Sequence, residues 1–330
     1  MTGATFAHSG RGASTGIRER SLQVLARFGL PIVLVIVILL AGATTPSFFS
    51  FDNFRAVLIN TAIVGIIAVA TTPVTLSGNF FSLGTSQSVM LGALTFLALI
   101  SNGWPLPVAG IAVVAFLVII GVAQGIIVAA GLNPVITTLG AGAVIFGAAT
   151  VLSGGSVVTA GAQDIGWIAT ASLWGLPLPV YGFLIFTLAT MFVTDRTIIG
   201  RQIVMVGANK ETARVSGISV RKATLAAFSI MSFGFALAGI LAAAQTTQVT
   251  SSDFGNLTID TVAAVLVGGT AVTGGQGSPA RSAIGALLVV VIGNVMLLNG
   301  FTTGARAIGV GALVAVMVCV LHVIGKVTKK

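Results

Sequence analysis

Few residues in this chain can do chemistry. Seven acidic side chains, two histidines and one cysteine are spread through 330 residues. His8 and His322 stand far apart, and no H-E-x-x-H pair, cysteine cluster or Ser-His-Asp set is present, so no metal, no catalytic residue and no cofactor are expected. The stretch Gly274-Gly-Gln-Gly-Ser278 is glycine-rich but lacks the lysine of a G-x-x-x-x-G-K-[ST] phosphate loop, and reads as a tight turn. Cys319 has no partner for an intrachain disulfide. Asp260 is the one carboxylate in an apolar run, at its outer end. A helix-start carboxylate is the plainer reading there, and an ion or proton relay the alternative. Asn79, Phe80, Asn133 and Thr137 sit at breaks between apolar runs and are the candidates for lining a solute path.

Long apolar runs must position these residues. Charged residues make up 7% and apolar residues 56% of the chain, with a mean hydropathy of +1.09. A soluble domain carries about 25% charge, so both a soluble globule and a disordered chain are excluded. A crossing takes about 20 apolar residues. Ten segments qualify, near 28–44, 56–76, 84–101, 107–130, 135–152, 178–194, 222–244, 258–273, 283–300 and 306–325. The eighth is short and is expected to be broken or tilted. The fold class is therefore all-α, a polytopic transmembrane helix bundle of about ten spans. Gly121/Gly125 and Ala143/Gly147 are small-xxx-small pairs suited to close helix packing in lipid.

The net charge of +9 would suit nucleic acid or an anionic surface in a soluble protein. Here the basic residues lie between apolar runs, without a basic face interleaved with aromatics, so no nucleic-acid partner is expected and membrane lipids are. With the N-terminus inside, the inner segments hold Arg11, Arg18, Arg20, Arg27, Arg196, Arg201, Lys210, Arg214, Arg221, Lys222, Arg281, Lys326, Lys329 and Lys330. Only Arg55 and Arg306 fall outside, with Asp52, Asp164 and Asp253. This is the positive-inside asymmetry, and it places both termini in the cytoplasm. The expected organisation is a flexible cytoplasmic tail over 1–27, a transmembrane domain over 28–325 and a basic cytoplasmic tail over 326–330. The first apolar run also has features of a signal peptide, but an uncleaved first span fits the charge pattern better.

The inner connection 195–221 contains a short predicted helix. Asn209 is a good N-cap, Glu211 suits the first turn, and Gly217 can take the left-handed position after the C-cap, so Lys210–Ser216 reads as helix. Two turns are marginal alone in water, so this helix must lie against its own bundle or a partner.

Four stretches resemble the membrane permease subunits of ribose-type ABC sugar importers, in the branched-chain amino acid/ribose permease family. They are Gly131-Leu-Asn-Pro-Val-Ile-Thr-Thr-Leu-Gly140; Gly200-Arg-Gln together with Val206-Gly-Ala-Asn-Lys-Glu-Thr-Ala-Arg-Val-Ser-Gly-Ile-Ser-Val220; Leu237–Ala244; and Ile259–Thr270 continuing to Ser278. Their order and spacing match over about 50–320. One departure is that Phe80 stands where the family pattern Gly-Gly-Ile-Asp-Leu-Ser-Val-Gly has its aspartate. The resemblance implies a transport subunit that is no enzyme itself, in the bacterial inner membrane. It also implies separate ATP-binding cassette ATPase subunits, an extracytoplasmic solute-binding protein and a second permease copy, identical or homologous. It further implies that Gly207, Ala208, Asn209, Lys210, Glu211, Ala213, Arg214, Ser216 and Gly217 form the ATPase-coupling loop. Arg55 and Arg306 become candidates for docking the binding protein, with headgroup anchoring as the alternative. The expected solute is a monosaccharide or related polyol moved inward by alternating access. A stand-alone carrier or channel is the second reading, disfavoured by the scarcity of charge in the spans.

Overall fold

The computed structural model describes residues 29–328, with side chains described as far as residue 316. The expected tail over 1–27 lies outside the described residues. The described residues are mostly helical, with thirteen helices among them. Each expected span falls on one: α1 (Gly29–Thr44), α2 (Phe51–Leu76), α3 (Thr85–Ser101), α4 (Leu106–Ala129), α5 (Pro134–Ser153), α7 (Leu178–Arg196), α10 (Val220–Thr246), α11 (Leu257–Val267), α12 (Pro279–Leu298) and α13 (Thr303–Thr328). Short helices α6 (Trp167–Thr170), α8 (Ile198–Ala208) and α9 (Lys210–Val215) lie in connections. Among the described residues, six helices, α2, α4, α5, α7, α10 and α12, are long and apolar enough to cross a membrane.

One detail departs from the expected all-α bundle. Among the described residues, four two-residue strands interrupt the helices. β1 (Val158–Thr159) pairs antiparallel with β4 (Gln248–Val249), and β2 (Ser172–Leu173) with β3 (Leu176–Pro177). The eighth apolar run is broken, as expected, and stays helical only to Val267. Gly268 and Gly269 follow, Gly269 with φ +75°, and residues 268–278 leave the helix. The helix of α13 continues through Lys326 to Thr328, into residues assigned to the basic tail.

The centre of the bundle is α2 packed on α10. Small side chains allow this close packing, since water does not drive helices together in lipid. Gly234 of α10 lies against Ala70 of α2, and Gly239 against the backbone of α3 near Val89. Gly121 and Gly125 of α4 face Ser232 and Phe228 of α10. The Ala143/Gly147 pair does not pack this way, because a Cβ on Gly147 would meet nothing within 4 Å. The outer faces of α4, α5 and α7 present Ile111, Ile119, Val151, Leu152, Ile185 and Leu188 to the surroundings, as a lipid-facing surface should.

The connections gather at two ends. At one end, the segments after α2, α8 and α11 meet through Gly78, Gly207 and Gly274. At the other, β1 pairs with β4, Asn299 donates to Thr45 Oγ1 at 3.0 Å, and Arg55 donates to the Thr170 carbonyl. These are the glycine end and the strand end of the bundle.

Candidate functional site: the glycine-end junction

Asn209 caps α9 as its residue type predicts, with its Oδ1 accepting from the Thr212 N–H at 3.0 Å. The other end closes through Gly217, whose φ of +78° suits only glycine comfortably. There the Gly217 N–H donates to Arg214 O and the Ile218 N–H to Ala213 O, both at 3.0 Å, which is the Schellman arrangement. Both ends of a two-turn helix are thus satisfied locally. Ala213 alone is buried on α9, and it joins the core of Leu76, Ile203, Val206 and Ala223. Lys210, Glu211, Arg214, Val215 and Ser216 face outward, with Val215 84% exposed.

The preceding helix, α8, is absent from the sequence expectation. Thr197 caps it, with its Oγ1 accepting from the Gly200 N–H at 3.2 Å, and Gly200, Ile203 and Val206 form its buried face. At its end Gly207 makes the closest approach in the junction. A Cβ there would overlap the Leu76 carbonyl and stand 2.8 Å from Gly275 N. The Gly275 N–H donates to Leu76 O at 3.0 Å. A Cβ on Gly274 would stand 2.5 Å from Gly78 Cα, and one on Gly275 2.7 Å from Ala208 Cα. The end of α2, the end of α8 and the turn after α11 therefore touch backbone to backbone. The turn expected at Gly274–Ser278 is present, and the junction is what it serves.

The break after α2 leads from this junction into the bundle. Asn79 is 2% exposed and donates to Ser77 Oγ at 2.8 Å, which shapes the break. Phe80, where the family pattern has aspartate, is 38% exposed and packs edge-on against buried Phe81, ring centroids 5.0 Å apart. Asn133 is exposed and caps α5 through the Val135 N–H at 2.9 Å. Thr137 Oγ1 donates to Asn133 O within its own helix at 2.9 Å. The break is tied to α5 by the next residue, Thr138, whose Oγ1 accepts from the Leu83 N–H at 3.1 Å, while Gly84 and Gly142 meet backbone to backbone. Ser86 and Thr258 then cap each other across α3 and α11, each hydroxyl accepting the other's N–H at 3.0–3.1 Å. The sequence signalled the break but not these partners.

At the strand end, Arg55 is engaged with Thr170 O. Arg306 lies in the first turn of α13, half-buried, lining a cavity with Asp260. The two arginines expected to share an outer docking role thus occupy different environments. Among the described residues, no group of three or more His, Cys, Asp or Glu is placed to hold a metal.

The family described as branched-chain amino acid transport system / permease component matches residues 53–324. The chain belongs to this permease family. The permease is 30% identical to the ribose import permease protein of Haemophilus influenzae over 305 residues, covering 91% of this chain and 93% of that one. It is 32% identical to the ribose import permease protein of Escherichia coli K12, covering 87% and 91%. It is 29% identical to the autoinducer 2 import system permease protein of Salmonella typhi, covering 88% and 89%. No solved structure matches the permease. The resemblance read from its motifs therefore holds, and the permease is a multi-pass membrane protein.

Proposed function

We propose that the permease is the membrane subunit of an ATP-driven importer. It moves a small hydrophilic solute, a monosaccharide or related polyol, across the bacterial inner membrane by alternating access. It works with two ATPase subunits, a second permease copy and an extracytoplasmic solute-binding protein. The glycine end faces the cytoplasm. The observation that carries this reading is the fully capped α9, exposed except at Ala213 and seated on the same core as α2 and α10. An ATPase pair bound to Lys210–Gly217 pushes on α9, and the junction passes that displacement to the breaks after α2 and α11. Only contacts that differ between the two states can drive such a switch. The names of the relatives support a sugar-like solute.

Charge reversal at the exposed positions, Lys210→Glu with Arg214→Glu, leaves the bundle intact and abolishes co-purification with the ATPase. Unchanged association would remove the coupling assignment. Solute uptake into liposomes by the chain alone, without ATPase, would overturn the importer reading in favour of a stand-alone carrier. An Arg214→Cys thiol reacts with an impermeant reagent from the cytoplasmic face only; reaction from the other face would invert the orientation.

A further inference from the structure

The strand-end half of the bundle holds charge that the junction does not use. The first turns of α11 and α13 bring Asp260 and Arg306 to one cavity of about 200 Å³. Asn60 of α2 and Gly293 and Asn294 of α12 form other walls. Asn60 stands nine positions beyond Phe51, the start of α2. At 1.5 Å per residue that is about 13 Å along the helix, so the cavity lies within the depth of the spans. Ionisable side chains at such depth are costly and face a bundle interior or a water-filled cavity. Arg306 is the opposite charge acting on Asp260. Its Nε is buried and has no hydrogen-bond partner among the described residues. Asn294 is held in place by Asn53, which exchanges two hydrogen bonds with it at 3.1 and 2.7 Å and also donates to Phe48 O at 2.8 Å. That leaves one N–H and further lone-pair capacity of Asn294 free.

We propose that this cavity is a solute subsite within the protomer, taking a small polyhydroxylated molecule such as a monosaccharide. The chemistry matches the ligand class. A carboxylate accepts from adjacent hydroxyls, a guanidinium donates to hydroxyl oxygens, and a positioned amide does both. Val289 and Val290 offer apolar wall to the C–H face of a sugar ring. The one negative and one positive group sum to zero, so nothing selects for a charged solute. At roughly 30 Å³ per water, the space holds several waters or one small solute. This subsite rests on the solute class proposed above.

The test uses the full chain in nanodiscs, with Gly293→Cys in a Cys319→Ala background. A Cβ at Gly293 meets nothing within 4 Å, so the thiol fits without displacing a neighbour. Asn60→Cys, at an exposed position of the same wall, is a second reporter. Alkylation is timed with D-ribose, D-glucose, xylitol or L-leucine. At least one polyol slows alkylation by about tenfold at ten times its Kd, because the free fraction falls as 1 + [L]/Kd, and leucine does not. Asp260→Asn and Arg306→Gln each remove the protection. No protection by any polyol at either reporter, protection by leucine instead, or protection that survives both substitutions would overturn the subsite. ATPase-dependent uptake without protection refutes the subsite alone, whereas protection in a chain that transports without an ATPase refutes the importer reading alone.

Discussion

The two ends of the bundle are built from different materials. At the glycine end, Gly78, Gly207 and Gly274 bring three backbones into contact, with no long side chain between them. At the strand end, beyond the two-residue β1–β4 ladder, the elements are joined by side chains: Asn53 with Asn294, Asn299 with Thr45, and Arg55 with Thr170 O. A backbone contact has no rotamers to absorb a displacement, so what moves α8 moves its neighbours. A side-chain hydrogen bond can exchange with water or a hydroxylated solute at small net cost. The first material suits force transmission and the second suits binding and release.

This contrast can be broken from either side. The largest effect is expected from Gly207→Ala. The added methyl overlaps backbone rather than a flexible side chain, and the strain should cost about 3 kcal/mol or more, read as a fall in the thermal unfolding midpoint in detergent. Toleration without loss would mean that the junction is loose. Next is Asn209→Ala, which removes the α9 cap and costs about 1 kcal/mol locally, seen as several-fold faster hydrogen exchange at the Thr212 amide. At the strand end, a double-mutant cycle on Asn53→Ala and Asn294→Ala should give a coupling near 0.6 kcal/mol, the ordinary scale for such pairs in membranes. A value of several kcal/mol would make that end as rigid as the other. The smallest effect belongs to Gly147→Ala. This glycine is in α5 with open space around it, so the substitution should be neutral or stabilise by under about 1 kcal/mol. A large loss there would show that glycine content, not junction geometry, limits stability.

What the sequence disclosed follows the range of the signals. The α9 cap at Asn209 and the turn glycine Gly217 were legible because capping acts within three or four residues. The apolar runs were legible because hydropathy accumulates over a whole span. The helix α8 escaped because its 11 residues, with Arg201 and Gln202 among them, are too short and too polar for a span and lie inside the charged connection 195–221. The glycine junction escaped because Gly78, Gly207 and Gly274 are distant in sequence, and each reads alone as an ordinary turn or helix glycine. That Arg306 lines a cavity with Asp260 was not legible, because hydropathy locates the edge of a run but not the depth of its first turn. The part of Thr138 was not legible for want of a helical phase: only the structure shows that its hydroxyl meets the break, while that of Thr137 bonds within its own helix.

The brevity of α11 also bears on how the chain enters its membrane. Its 11 residues rise about 16 Å, roughly half of a hydrocarbon core of about 30 Å. Such a segment is a poor substrate for the insertion machinery, which admits helices by their length and hydropathy one at a time. The non-helical residues after it carry backbone groups that lipid cannot satisfy. Here they lean on α12, where Gly268 lies against Arg281 O and Ser282, and Thr270 meets the Ser282 hydroxyl at 3.4 Å. Biogenesis of this region is therefore expected to be a paired event. α11 waits at the translocon for α12, and the two leave it together as a hairpin.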